Sequence, residues 1–301
     1  ILGSTSTRRT LLTTAAASAA ALALPAAPAH AGPRTRDPQA RLRELEKRHG
    51  ARVGAFAHNL ATGTTARHRA GERFPMCSVF KTLAVAAVLR DLDRDGGTLA
   101  RRLHYTAADV VAAGGGSITV KPENVAAGMT IAELCDAAIR YSDNLAANLL
   151  LRELGGPTAV TRFCRSVGDP KTRLDRSEPD LNTAEPWRRQ DTTTPAAIAR
   201  TYARLTLGDA LDDDDRTRLT AWLLGNTTSA KRFHEGLPDD WSIADKTGTG
   251  SYGTANDVGI SWTPEGVPVV LAVLTTKPAQ DATPDDALVA ATAKVLADAV
   301  A

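Results

Sequence analysis

Cysteine is scarce. Cys77, Cys135 and Cys164 are the only three in 301 residues, too few for a disulfide framework, and an odd count leaves at least one thiol free. All three read as small buried hydrophobes. The six histidines show neither H-x-H nor H-E-x-x-H spacing, which argues against a zinc hydrolase. No apolar run is long enough to span a bilayer as part of a mature protein, so no membrane partner is expected. Neither sign of charge is in excess: Lys+Arg is 36 and Asp+Glu 34. Without Arg8 and Arg9, which belong to a leader, the two signs balance. Nucleic acid and anionic membrane surfaces are therefore poor partners.

Residues 1–31 carry targeting features. Ser6-Thr7-Arg8-Arg9 precedes an Ala-rich stretch from Leu11 to Leu24, and Ala29-His30-Ala31 supplies small residues at a cleavage-site spacing. The paired arginines resemble a twin-arginine export signal, and Pro25 and Pro28 break any competing N-terminal helix. The mature protein is expected to begin near Gly32 and to be secreted.

The stretch that organises the rest is Phe74-Pro75-Met76-Cys77-Ser78-Val79-Phe80-Lys81. Pro75 stands where a helix would open, and the apolar run to Leu92 reads as a buried helix. Ser78 and Lys81, three apart, share one face of its first turn, while Cys77 points away. A hydroxyl becomes a useful nucleophile when a base removes its proton, and a desolvated Lys can serve. A core helix with one buried hydroxyl and one snorkelling Lys is the plainer alternative.

Around that stretch, Asp37 to Gly50 reads as an amphipathic helix with Leu42 and Leu45 inward. Arg52 to Asn59 reads as a strand that turns through Ala61-Thr62-Gly63-Thr64 into a second. Thr130-Ile131-Ala132-Glu133 is a capping box for a helix to Tyr141. Ser142-Asp143-Asn144 interrupts, and another helix runs to Leu154. Residues 168–194 show no periodicity, and a loop of that length usually has a function. Thr194-Pro195 starts a further helix, and the acidic run Asp212 to Asp215 a solvated helix N-terminus. Three strands (Trp241–Thr249, Thr254–Trp262, Val267–Thr275) and a closing helix from Pro284 to Val300 complete the chain. Gly248-x-Gly250-x-x-Gly253 matches a dinucleotide fingerprint as a string, but a strand follows where that fingerprint needs a helix; it reads as a hairpin.

This order predicts an α+β fold, an α/β sandwich in which an antiparallel sheet is covered by terminal helices. An all-helical lobe is inserted, and the site lies in the cleft between them. The α/β lobe is assigned to 32–72 and 226–301, and the helical lobe, with its loop 168–194, to 73–225.

Four signals fall in order: Ser78-x-x-Lys81, Ser142-Asp143-Asn144, Glu178-Pro179-Asp180-Leu181-Asn182 and Lys246-Thr247-Gly248. Together they resemble the class A serine β-lactamases over essentially the whole mature length. The resemblance implies hydrolysis of β-lactam antibiotics through an acyl-serine intermediate, conferring resistance, by a monomer that needs no cofactor. Ser78 would be the nucleophile, with the backbone N–H groups of Ser78 and Thr249 as oxyanion donors. Lys81 would orient Ser78 and share its proton. Ser142 would protonate the departing lactam nitrogen, and Asn144 would hold the substrate's side-chain amide. Asp143 is given a structural task, and Asn148 would tether the long loop.

Lys246 and Thr247 would receive the substrate carboxylate, and Gly248 would let the ligand lie against the strand edge. Ala255 stands at one place where the family carries an arginine, so Arg232 is the candidate, with a surface arginine as the alternative. Glu178 with Asn182 would activate the water that cleaves the ester, on a loop pinned by Arg176 and Asp191, with a cis Glu178–Pro179 bond. Cys135 matches a position bridged in some relatives, but its partner position is Val85, so no bridge is expected. The runners-up are a penicillin-binding D,D-peptidase, which lacks the Glu178 element, and a sensor that stays acylated.

Overall fold

The computed structural model describes residues 37–94 and 96–301. The export leader expected at 1–31 lies outside the described residues. Among them, no helix is long and apolar enough to cross a membrane.

Helix α1 (Pro38–His49) opens on Asp37, whose carboxylate accepts from the Gln39 N–H, and closes on Gly50 in the left-handed region. It buries Leu42 and Leu45, as its pattern requires. Strands β1 (Arg52–Asn59) and β2 (Thr65–His68) form the first hairpin. β3 (Ser242–Gly250), β4 (Thr254–Trp262) and β5 (Pro268–Thr276) supply the rest of a five-stranded antiparallel sheet ordered β2-β1-β5-β4-β3. The glycine string at 248–253 is the β3–β4 hairpin, so the cofactor fingerprint is set aside by geometry.

Both faces of the sheet are covered, and β5 shows why its sequence is apolar throughout. Val269, Leu271 and Val273 point into one core with α1 and the closing helix. Val270, Ala272 and Leu274 point into the other, shared with the helical region. That period of two is the pleat itself.

The helical region comprises α2 (Phe80–Ala87), α3 (Ile131–Arg140), α4 (Asn144–Glu153), α5 (Thr158–Ser166), α6 (Pro195–Thr206) and α7 (Asp213–Leu224). The capping box at Thr130 and Glu133 forms as expected, and Asp212 caps the acidic start of α7. α6 packs directly on β5, β4 and β1, and its Tyr202 hydroxyl donates to Val79 O at 2.8 Å. The chain ends in α8 (Asp286–Val300) on the opposite face.

Pro75 corrects one expectation. It opens no helix; Phe74–Pro75 is a short strand paired with Thr192–Thr193, and the Met76 N–H donates to Asp191 O at 3.0 Å. The helix begins only after a 3-10 turn, Cys77–Val79, entered with Cys77 at φ +45°. Pairing with the end of the long loop outcompetes the local preference of Pro for a helix start. The loop itself is not featureless: it holds a 3-10 turn at Asp180–Thr183 and the Thr192–Thr193 strand.

Candidate active site

The free edge of β3 lies against the Cys77–Val79 turn. A Cβ on Gly248 would stand 2.7 Å from Met76 O and 3.2 Å from Ser78 N. Gly248 therefore makes room for the turn that carries Ser78. Asn256 on β4 fastens the same turn, its Nδ2 donating to Pro75 O at 2.9 Å and Met76 O at 3.2 Å. Ser78 is thus held between the sheet edge and the first turn of α2.

One turn on, Lys81 is fully buried and its ammonium is saturated with partners. Nζ donates to Ser142 O at 2.7 Å and Asn144 Oδ1 at 2.8 Å, and pairs with Glu178 Oε1 at 3.0 Å. Among the described residues, Ser78 Oγ is not one of its partners. The serine hydroxyl instead donates to Glu178 Oε1 at 3.2 Å. The expected direct Ser78–Lys81 link is therefore replaced by a link through the carboxylate, and Glu178 touches Ser78 with no intervening atom. Cys77 is buried and its thiol is pushed up by that burial, with Glu178 adding to the effect, so it is no rival nucleophile.

The Ser142-Asp143-Asn144 segment joins α3 to α4 through Ser142 at φ +55°. Asp143 makes that kink stable: it caps α4 at Ala146 N (2.9 Å) and accepts from Ile118 N and Thr119 N, each at 2.9 Å. With Asp143 so occupied, Ser142 and Asn144 on either side face Lys81.

Glu178 is buried although it sits in a loop. Asp191 pins that loop, accepting from Arg176 Nε at 2.6 Å and from the backbone N–H groups of Asp175 (2.7 Å) and Arg176 (2.9 Å). Asn148 on α4 grips the Glu178 backbone twice, donating to its carbonyl at 2.8 Å and accepting from its N–H at 3.0 Å. The Glu178–Pro179 bond is cis, and Asn182 Nδ2 donates to Glu178 Oε2. Asn182 O in turn accepts from Ser251 N at 2.9 Å, tying the loop to the β3–β4 hairpin.

On β3, Lys246 is fully buried, with Nζ 2.9 Å from Ser142 Oγ and 2.8 Å from Thr247 O. Burial, and after it the charge of Lys81, pushes its ammonium well below the usual lysine range. Thr247 Oγ1 contacts Thr228 Oγ1 at 2.5 Å. Arg232 is not a surface arginine: it is buried and bonds Thr249 Oγ1 at 2.8 Å, Gly248 O at 2.9 Å and Asn256 O at 2.8 Å. It also pairs with Asp286 at 2.7 Å. Every candidate residue from the sequence is thus linked into one cluster. Thr228, Asn256 and Tyr202 belong to it as well; nothing in the residue order marks them, because each acts across the fold.

Residues 37–300 match a family model described as the beta-lactamase enzyme family. A beta-lactamase of Streptomyces lavendulae is 61% identical over 300 residues, covering 99% of this chain and 98% of that protein. A beta-lactamase of Mycobacterium tuberculosis is 48% identical over 270 residues, covering 87% and 85%. Among solved structures, the beta-lactamase from Streptomyces albus G superposes with a TM-score of 0.87 at 60% identity, covering 88% of this chain and 99% of that one.

Proposed function

The chain belongs to the beta-lactamase enzyme family, its class A serine branch; it hydrolyses β-lactam rings, and we propose that it does so through an ester on Ser78. Ser78 Oγ attacks the lactam carbonyl carbon, and its proton passes to the Glu178–Lys81 pair. The carbonyl oxygen takes the negative charge and is held by the N–H groups of Ser78 and Thr249. As the C–N bond breaks, Ser142, hydrogen-bonded to Lys246, gives the nitrogen a proton that is replaced from the lysine side.

Hydrolysis of the ester is the second half. Once Ser78 is acylated it can no longer donate to Glu178, and that carboxylate, with Asn182, takes a proton from water as the water attacks the ester carbon. Lys246, Thr247 and Arg232 hold the substrate carboxylate, and Asn144 its side-chain amide. The observation that carries this reading is one carboxylate oxygen, Glu178 Oε1, within hydrogen-bond distance of both Ser78 Oγ and Lys81 Nζ. A peptidase or a sensor that stays acylated has no use for that carboxylate.

The protein acts as a secreted monomer, exported by the leader at residues 1–31 through the twin-arginine route. Mixing the purified protein with a chromogenic cephalosporin tests the catalytic reading. Many turnovers per molecule are expected, and Ser78→Ala should abolish them together with any covalent adduct. A single stoichiometric burst that never turns over would overturn it.

A further inference from the structure

Behind Lys246, two carboxyl groups share a fully buried space. Asp245 on β3 lies diagonal to Asp257 on β4, because Thr247 pairs with Asp257 and Asp245 with Gly259. A Cβ on Gly259 would stand 2.7 Å from the Asp245 Cβ, so glycine there leaves space for the acid. Each carboxyl spends one oxygen on protein donors. Asp245 Oδ1 accepts from Asn226 Nδ2 at 2.6 Å; Asp257 Oδ2 accepts from Ser229 Oγ at 2.8 Å and Phe233 N at 3.2 Å. The other two oxygens, Asp245 Oδ2 and Asp257 Oδ1, are buried without a protein donor. Two ionised carboxylates side by side in such a space repel each other, and one proton between them would relieve the repulsion and supply the missing donor.

The charges facing the pair give the proton a consequence. Arg232 and Lys246 carry the charge opposite to the acids, and His234 and Tyr202 are the other titratable groups that bear on them. Lys81 has Glu178 as its partner and Arg232 has Asp286. Among the described residues, Lys246 makes no ion pair; the carboxylates that favour its charged form are Asp257 and Asp245. A doubly ionised pair would oppose an incoming anion, and a neutral one would leave Lys246 uncompensated.

We propose that Asp245 and Asp257 hold one proton between their facing oxygens, and that the single negative charge left on the pair keeps Lys246 ionised to receive the substrate carboxylate. The two are positioning residues, and the proposal rests on Lys246 receiving that carboxylate.

Infrared spectroscopy of the full protein reads the proton directly. A protonated-carboxyl band is expected at neutral pH, lost in both Asp245→Asn and Asp257→Asn, because each amide supplies the missing donor and leaves the remaining acid ionised. No band in the unaltered protein, or one that survives both substitutions, overturns the shared proton. The counter-charge is read from KM for benzylpenicillin against pH. In the double Asp→Asn variant the alkaline rise in KM should move to lower pH by about one unit or more relative to either single variant, as for a lysine losing a nearby opposite charge. Superimposable profiles overturn that half. Failure of the enzymatic reading would show separately, as turnover that survives Ser78→Ala, and leaves the infrared result untouched.

Discussion

Glu178→Ala separates the two halves of the reaction. The lost group is a general base worth about 10²–10⁴ in rate, or about 2.7–5.4 kcal/mol of barrier. Deacylation bears that loss in full, because after acylation no other carboxylate contacts Ser78. The fold should survive: breaking a buried ion pair costs about 3–5 kcal/mol when a charge is stranded, but Lys81 keeps Ser142 O and Asn144 Oδ1. Glu178→Gln preserves shape and removes basicity, so it controls for packing. The assay is rapid mixing followed by intact-protein mass measurement: a burst of one equivalent and a persistent adduct with the mass of the whole antibiotic. Steady-state turnover within tenfold of the unaltered enzyme, or full activity in the Gln variant, would refute the reasoning. The same experiment assigns the acylation base. Since Ser78 Oγ bonds Glu178 and not Lys81, the burst itself should slow in the Ala variant; an unchanged burst would make Lys81 the base.

Four further outcomes follow from the same geometry. Gly248→Ala must push the β3 edge and the Ser78 turn apart, since its Cβ would sit 2.7 Å from Met76 O. Denaturant unfolding should show a loss of about 1–3 kcal/mol, and kcat should fall about 10²-fold. Gly71→Ala, with nothing within 4 Å, should leave stability within about 0.5 kcal/mol of the parent. KM for a carboxylated substrate should rise at a pH well below that at which an exposed lysine titrates, because burial depresses the Lys246 ammonium; a KM flat to the ordinary lysine range would contradict this. Asp257→Asn should become more stable relative to its parent as pH rises. Burial raises the folded pKa of the parent acid pair, so the native state keeps a proton that the unfolded chain has released above about pH 3.9. Parent stability therefore falls with rising pH, by at most about 1.4 kcal/mol per unit, until the raised pKa is passed. Urea unfolding between about pH 5 and pH 8 reads the difference; a constant gap would count against the retained proton.

Local chemistry wrote much of this fold plainly. The Thr130 capping box, the αL stop at Gly50, the Asp212 cap and the period of two in β5 each act within a few residues, so the sequence alone places them. The motif residues were legible for the same reason, since Ser78 and Lys81, or Ser142 and Asn144, are set by one turn of chain. What failed were inferences that needed to know what lies opposite. Pro75 has the makings of a helix start, but only the fold brings Asp191 O to the Met76 N–H. That Gly248 also makes room for the Ser78 turn was equally hidden, because nothing local says that the turn packs there. The bond from Ser78 to Glu178 depends on how deeply Asp191 and Asn148 draw the loop in, which no spacing encodes.

Asp245 and Asp257 show the same limit most sharply, and show why it matters for function. In the sequence they are unremarkable strand acids, twelve positions apart, each between one polar and one apolar neighbour. Register alone makes them diagonal neighbours, and burial side by side is what favours one proton between them. Acids cost free energy in a core, so their presence beneath the substrate lysine calls for a return. Charge balance supplies one. A site that must bind an anion needs net positive charge at its surface, yet burial and the charge of Lys81 both depress the charged form of Lys246. Placing the countercharge on the far face of the sheet satisfies both demands: it supports Lys246 from below without offering the substrate carboxylate a like charge at contact distance. Sharing a single proton sets that countercharge at one, enough to hold the lysine and too little to cancel the field that binds the ligand.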